Sequence, residues 1–231
     1  MNRKHSDTEQ KSSGLAAIKH AFDMLFIKQD DEKKQKLYDY ACLIVKWNKT
    51  YNLTALKKID DVYEQHIFDS LATINPINQY LKQQHIEQAQ IFDIGSGAGL
   101  PGVVIAIMCP QINVVCIDAV GKKVAFLQHV ANVLGLTNLN AQHQRVERWN
   151  TKPADLVISR AFSSLYNFTS WSGMHVKDEG QMIAMKAHLL PAELTEFETQ
   201  PIWQISHIEK LVVPNLDATR CLVWINKKGT T

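Results

Sequence analysis

No apolar stretch in this 231-residue sequence approaches the length of about 18 residues that a helix needs to cross a bilayer. The polar N-terminal stretch, residues 2–13, contains no apolar segment of the kind that a secretory signal requires. We therefore expect a cytoplasmic protein with no membrane partner. Separately, we expect a monomer.

Cysteine is scarce, and none of the four cysteines lies in a C-x-x-C pair. All of them fall in apolar segments, which predicts reduced, buried thiols rather than disulfides or zinc ligands. The nine histidines include no H-x-x-x-H or H-E-x-x-H arrangement, so we predict no catalytic metal. The cysteines are Cys42, Cys109, Cys116 and Cys221.

Charge of one sign is not in excess, since 25 Lys and Arg accompany 23 Asp and Glu and the formal net charge is +2. This balance is no evidence for a nucleic-acid partner, although a local basic face remains compatible with one. The length suits a single α/β domain with an added segment.

Residues 1–85 have helical periodicity and predict an N-terminal helical extension. Leu37, Ala41 and Ile44 recur at the spacing of one helix face. Before them we expect a frayed polar start and a short helix over residues 15–25. Another helix is expected to begin near Asp61, which forms a capping-box pattern with Glu64.

Residues 86–231 alternate between short apolar segments and helical patterns, which predicts an α/β core. The alternation is typical of a doubly wound, seven-stranded, mostly parallel sheet with helices on both faces. A helix is predicted over residues 120–134, with Gly135 as its stop. The predicted strands are 90–94, 113–118, 138–143, 155–159, 181–186, 202–213 and 221–226.

The glycine loop, residues 93–102 (DIGSGAGLPG), follows the first predicted strand and opens a helix. Glycines such as Gly95 and Gly97 let a ligand approach bare backbone near a helix N-terminus. Asp118 ends the next strand, where a carboxylate can accept the hydroxyls of a ribose. Together these features indicate an adenosine-containing cofactor, while the alternative for a glycine loop alone is a plain turn.

The spacing of the glycines selects among adenosine cofactors. A dinucleotide fingerprint, G-x-G-x-x-G, would place its third glycine at position 100, which is Leu100. The observed G-x-G-x-G, preceded by Asp93, is the pattern of enzymes that use S-adenosylmethionine. We therefore predict S-adenosylmethionine as the cofactor.

Several segments resemble one family, the RsmG/GidB family, which methylates N7 of a guanine in small-subunit (16S) ribosomal RNA. The resemblance extends over about residues 38–225 and implies a Rossmann-like class I methyltransferase fold. It is carried by residues 46–54 (KWNKTYNLT), 66–70 (HIFDS), the glycine loop, 118–127 and 155–162 (DLVISRAF). The implied partner is small-subunit ribosomal RNA or an assembly intermediate that contains it.

The resemblance also implies site residues. The cofactor contacts that it implies are Gly95, Leu100, Val146, Glu147 and Arg160. Arg160 is further expected to be catalytic by holding the guanine or its phosphate through a planar fork. The alternative for Arg160 is an ion pair with a local carboxylate, either Asp69 or Glu147.

Two positions depart from the family pattern. Gln65 stands where an arginine often precedes the HIFDS segment, and Ala187 stands where a glycine commonly follows Lys186. Both departures are expected to affect an RNA or cofactor contact rather than the glycine loop.

Other polar residues are open to two interpretations. His66, Asp69 and Ser70 share one helix face, which either is solvated or borders the site. Phe162 either stacks on a base or packs in the core. Lys122, Lys123 and Arg145 are expected to contact RNA phosphates, with ordinary solvated cations as the alternative.

The chemistry of guanine N7 matches this sequence. N7 has an in-plane lone pair and no proton, so methylation needs positioning rather than a general base. Two other functions remain open: a methyltransferase that acts on a small molecule, and a non-catalytic RNA-binding module with the same fold.

Overall fold

The computed structural model describes residues 2–229. Its N-terminal region is helical, as predicted, but helix α1 begins at Asn2 rather than near Leu15. The prediction of a frayed start was wrong because Ile18, Ala21 and Phe22 are fully buried and anchor the helix. The exposed polar residues 8–13 continue that helix toward the N-terminus, since adding a turn is easier than starting one. The N-terminal helices are α1 (Asn2–Met24), α2 (Asp31–Tyr51), α3 (Ile59–Val62), α4 (Asp69–Leu71) and α5 (Ile74–Gln83).

A π-helical segment, Tyr63–Phe68, joins α3 to α4. The predicted capping box at Asp61 is absent, because α3 begins at Ile59 and Asp61 already lies inside it. Single π-helical turns are uncommon and occur frequently at functional sites.

Within residues 2–229, the sheet has seven strands in the order β3-β2-β1-β4-β5-β7-β6. Strands β1 to β5 pair in parallel, whereas β7 is antiparallel to both β5 and β6. The predicted mostly parallel sheet is therefore confirmed. The strands are β1 (Gln90–Ile94), β2 (Asn113–Asp118), β3 (Leu139–His143), β4 (Ala154–Ser159), β5 (Val176–Lys186), β6 (Trp203–Leu211) and β7 (Arg220–Lys227).

Helices cover both faces of the sheet, because successive strand residues point to opposite sides. Ile91 packs with the N-terminal helices, α6 and α7, whereas Phe92 packs with α8 and α9 on the other face. One hydrophobic cluster thus joins the N-terminal helices to the sheet. The remaining helices are α6 (Gly102–Met108), α7 (Gly121–Leu134), α8 (Leu165–Ser172) and α9 (Pro191–Glu198).

Three of the four cysteines are buried, Cys42 is half-buried, and all four are free thiols. Within residues 2–229, no helix is both long and apolar enough to span a membrane. In the same part of the chain, no three His, Cys, Asp or Glu side chains are grouped to hold a metal ion.

Candidate active site

The glycine loop turns tightly between β1 and α6. Gly95, Gly97 and Gly99 have φ angles of 69°, 61° and 93°, in the left-handed region that favours glycine. The amides of Gly95 and Ser96 both donate to the carbonyl of Ile117, at 2.8 and 3.1 Å, which ties the loop to the end of β2. Backbone geometry therefore explains the glycines that the sequence pattern singled out.

Asp93 stabilises the glycine loop through a hydrogen bond at the start of α6. Its buried carboxyl group accepts a hydrogen bond from the amide of Gly102 at 2.8 Å, where α6 begins. A Cβ atom on Gly102 would lie 2.7 Å from Asp93 Oδ2, so the close approach requires glycine there. Burial raises the pKa of Asp93 to about 7.

The helical extension holds the loop from the other side, which the sequence did not reveal. The Tyr40 hydroxyl, fully buried on α2, donates to the carbonyl of Ala98 at 2.6 Å. Burial raises the pKa of Tyr40 well above its usual value, so the hydroxyl stays protonated as a donor. An apolar helix pattern would accommodate Tyr40 as a core residue, and no sequence signal marks its loop contact.

A first cavity of about 410 Å³ opens at the carboxyl ends of β1, β2 and β4. Asp118 lies at its edge and accepts from the amides of Gly97 at 2.9 Å and Val120 at 2.8 Å. These bonds fix the orientation of the carboxylate. The lining residues are Ile94, Gly95, Ile117, Asp118, Ala119, Lys123, Gln144, Arg145, Val146, Glu147, Ala161, Phe162, Ser163, Asn167 and Trp171.

The first cavity brings together several of the residues expected at a cofactor. Gly95, Asp118, Val146 and Glu147 all line it, from the carboxyl end of β2 and from the segments that follow β1 and β3. Gly97 does not line the cavity but donates to Asp118. Leu100 is 3% exposed in the hydrophobic core, so its side chain lies apart from the cavity.

The cations expected to contact RNA differ in position. Lys123 and Arg145 line the first cavity, and Lys123 Nζ lies 3.6 Å from Asp118 Oδ2. Lys122 is exposed and outside that cavity.

An aromatic pair forms one wall of the first cavity. The ring of Phe162 lies 5.8 Å from that of Trp171, edge to face, and 5.2 Å from that of buried Phe168. Phe162 therefore packs on the core and faces the cavity at once. Trp171 lies on α8, a helix that the sequence patterns did not predict.

Arg160 lines a second cavity, of about 370 Å³, rather than the first. Its Nη1 lies 3.0 Å from Asp69 Oδ2, which is the local ion pair considered as an alternative. Arg220, from the start of β7, donates to the other oxygen of Asp69 at 3.1 Å. The second cavity is lined by Thr54, Ala55, Leu56, Gln65, His66, Asp69, Arg160, Met185, Lys186, Ala187 and Arg220.

The His66, Asp69 and Ser70 face is buried, so the interpretation as a solvated face was wrong. The three residues are 8%, 2% and 0% exposed because this side of the π-helical segment and α4 turns toward the sheet edge. His66 Nε2 lies 2.8 Å from Thr54 Oγ1, and Arg160 Nη2 lies 3.1 Å from His66 Nδ1. Burial and the Arg160 charge lower the pKa of His66 to about 4, so the imidazole is neutral near pH 7.

Both departures from the family pattern, Gln65 and Ala187, line the second cavity. The side chain of Gln65 is exposed, while its carbonyl accepts from Arg160 Nη1 at 3.1 Å. The two sequence differences thus lie beside the Arg160 network and away from the glycine loop.

Comparison with known proteins identifies the family. The family model described as "GidB: rRNA small subunit methyltransferase G" matches residues 33–223. The chain belongs to the GidB family. A relative from Bordetella avium named "Ribosomal RNA small subunit methyltransferase G" is 44% identical over 93% of this chain and 94% of its own length. A Polaromonas relative of the same name is 44% identical over 94% of this chain and 95% of its own length.

Solved structures agree with the GidB family assignment at the level of the fold. TrmN from Thermus thermophilus superposes with a TM-score of 0.51 at 12% identity, covering 71% of this chain and 53% of that one. A SAM dependent methyltransferase from Aquifex aeolicus gives a TM-score of 0.50 at 17% identity, covering 68% of this chain and 92% of that one. This GidB family member therefore has the Rossmann-like methyltransferase fold expected from its sequence.

Proposed function

We propose that this protein transfers a methyl group from S-adenosylmethionine to N7 of a guanine in small-subunit ribosomal RNA. The observation that carries the proposal is the first cavity. Residues at or just beyond the carboxyl ends of three different strands converge there, and they include Gly95, Asp118, Val146 and Glu147. Membership of the GidB family supplies the substrate class.

The residues of the first cavity fit the cofactor. A Cβ atom on Gly95 would lie 2.8 Å from the Cβ of Ala161, so the loop and the end of β4 form a cradle that only glycine permits. Asp118 is oriented by two backbone amides and retains lone pairs that can accept ribose hydroxyls. Val146 supplies an apolar surface, and Glu147 a carboxylate, where an adenine would lie.

Methylation of guanine N7 requires the protein to position the base. S-adenosylmethionine, when bound, supplies an electrophilic methyl group. Guanine N7 needs no deprotonation, so the chain's task is to align the base and exclude water. Phe162 and Trp171 offer ring faces for base stacking beside the cofactor residues. In this proposal Arg160 holds the RNA near the end of β4.

Cofactor binding is tested with Asp118→Asn. We expect the affinity for S-adenosylmethionine, measured by calorimetry, to fall about tenfold, because a hydrogen bond to a charged group is lost. Asp178→Asn is the matched control, since Asp178 is exposed and lies near the start of β5, away from the first cavity. Unchanged affinity in Asp118→Asn would contradict the placement of the cofactor.

The methyl acceptor is tested by mass spectrometry of ribosomal RNA. Cells without the gene should lack one N7-methylguanosine of the small subunit, and the purified protein should restore it. Retention of every such nucleotide in those cells would contradict the proposal. Methylation of a free metabolite, without RNA binding, would favour a small-molecule methyltransferase. RNA binding without affinity for S-adenosylmethionine would favour a non-catalytic module.

A further inference from the structure

The second cavity contains more positive charge than the protein itself neutralises. Arg160 and Arg220 share one carboxylate, that of Asp69, which is the only acidic side chain lining the cavity among the residues that the structure describes. Lys186, the third cation, has its own partner because its Nζ lies 2.7 Å from Glu193. One guanidinium charge is therefore left without a counter-charge.

Hydrogen-bond donors are also left over in this cavity. Arg220 donates through Nε to Asp69 and through Nη1 to the carbonyl of Thr219, at 3.1 and 2.9 Å. Its Nη2, and the Nε of Arg160, donate to nothing within residues 2–229. The Arg160 and Arg220 side chains are 28% and 24% exposed, so a ligand that enters the cavity can reach both. Such donors match the anionic oxygens of a phosphate or a carboxylate.

The walls of the second cavity suit a phosphate better than a base. Among the residues that the structure describes, no Phe, Tyr or Trp lines it, whereas Phe162 and Trp171 line the first cavity. A base gains affinity mainly by stacking on aromatic rings, and a phosphate gains it from cations. The first cavity therefore has the aromatic rings that suit a base, and the second has the cations that suit a phosphate.

Two consecutive residues line the two cavities. Arg160 lines the second and Ala161 lines the first, and consecutive Cα atoms are only about 3.8 Å apart. The second cavity also shares Thr54 and Ala55 with a third cavity, which is lined by Lys49 and Lys57. Lys49 and Lys57 thus line a cavity that shares two residues with the cavity of Arg220.

We propose that the second cavity binds a backbone phosphate of the RNA substrate through Arg220 and Arg160, beside the nucleotide that enters the first cavity. The proposal rests on the proposed function in taking RNA as the substrate. It assigns Arg220 as an RNA-binding residue.

The first test is the salt dependence of RNA binding by Arg220→Gln. Binding to small-subunit ribosomal RNA, naked and in purified subunits, is measured over a series of salt concentrations. We expect about tenfold weaker binding at low salt. The slope of log affinity against log salt should fall in magnitude by about 0.7–0.9, the value of one phosphate contact. Arg220→Lys should retain the slope because it retains the charge.

Lys177→Gln is the matched control, because Lys177 pairs with the buried carboxylate of Asp155 at the opposite edge of the sheet. It should leave the salt slope unchanged. An unchanged slope in Arg220→Gln would overturn the proposal, and so would weaker binding with the wild-type slope, which indicates a base contact instead.

A gain of function cannot be explained by misfolding, so Gln65→Arg is the second test. Gln65 is exposed and lines the second cavity, and a guanidinium there should strengthen RNA binding several-fold and steepen the salt slope. Gln84→Arg adds the same charge at an exposed position just after α5, ahead of β1. It should increase the RNA affinity and the salt slope less than Gln65→Arg does. Equal effects of the two variants would overturn the proposal.

Calorimetry distinguishes the other anion available, the carboxylate of the cofactor. If Arg220→Gln weakens binding of S-adenosylmethionine but not of 5′-methylthioadenosine, which lacks that carboxylate, the RNA assignment is overturned. If the wild-type protein binds the RNA with the expected slope but never methylates it, the proposed function fails while the phosphate site stands.

Discussion

Alanine at Gly95 and at Gly97 should destabilise the protein to different extents, although the two backbones are nearly alike. With φ of 69° and 61°, both positions impose left-handed strain of about 1 kcal/mol on alanine. Their surroundings differ, because a Cβ on Gly95 would lie 2.8 Å from the Cβ of Ala161, while the nearest atom to a Cβ on Gly97 is 3.9 Å away. Carbon atoms normally approach to about 3.5–4.0 Å, so only Gly95→Ala creates a clash.

The clash at Gly95 determines how much the free energies of unfolding of the two variants differ. Overpacking usually costs about 1–3 kcal/mol, so we expect Gly95→Ala to lose that much more stability than Gly97→Ala. Equilibrium unfolding in urea, without cofactor, measures both free energies of unfolding. Gly95→Ala should also weaken S-adenosylmethionine binding in calorimetry, because Ala161 lines the first cavity. Equal free energies of unfolding for the two variants would refute the packing argument.

Three further predictions concern the buried ionisable groups. Asp93, with its pKa raised from 3.8 to about 7, keeps its proton in the native state while the unfolded chain loses it. Stability should therefore fall as pH rises from about 4 to 7, and Asp93→Asn should remove that contribution in urea unfolding at several pH values. His66, with its pKa lowered from 6.5 to about 4, stays neutral while the unfolded chain takes up a proton. Its contribution should be lost as pH falls from 6.5 to 4, and a His66→Gln variant with the wild-type pH profile would contradict this. Asp69→Asn leaves two guanidinium groups without their carboxylate and should cost about 2 kcal/mol, below the value for a fully buried pair because both arginines are partly exposed. A double-mutant cycle with Arg220→Gln should give a coupling energy above about 0.5 kcal/mol, and additivity would show that the pair is not coupled.

The strands and the glycine loop were predictable because their signals are local. Short apolar segments marked all seven strands, although β5 begins at Val176 rather than at residue 181. The φ angles that demand glycine at Gly95 and Gly97 are likewise a property of a few consecutive residues. The position of Asp118 follows from parallel strands whose carboxyl ends share one edge of the sheet.

Helical periodicity was less informative where tertiary contacts overrode it. The face with His66, Asp69 and Ser70 looked equally suited to solvent, but it is buried against the sheet edge. The Tyr40 hydroxyl reaches the glycine loop across 58 positions of sequence, and no spacing within α2 indicates that bond. Leu100 occupies a motif position, yet its side chain lies in the core.

The sequence by itself determined the doubly wound sheet, the glycine loop and the placement of Asp118, because each depends on the order of neighbouring residues. Only the tertiary structure decided what faces Arg160. Strand β7 runs antiparallel to β5, so its first residue, Arg220, arrives beside the carboxyl end of β5. It meets Asp69 there across 151 positions of sequence, and the shared carboxylate leaves one positive charge facing the cavity.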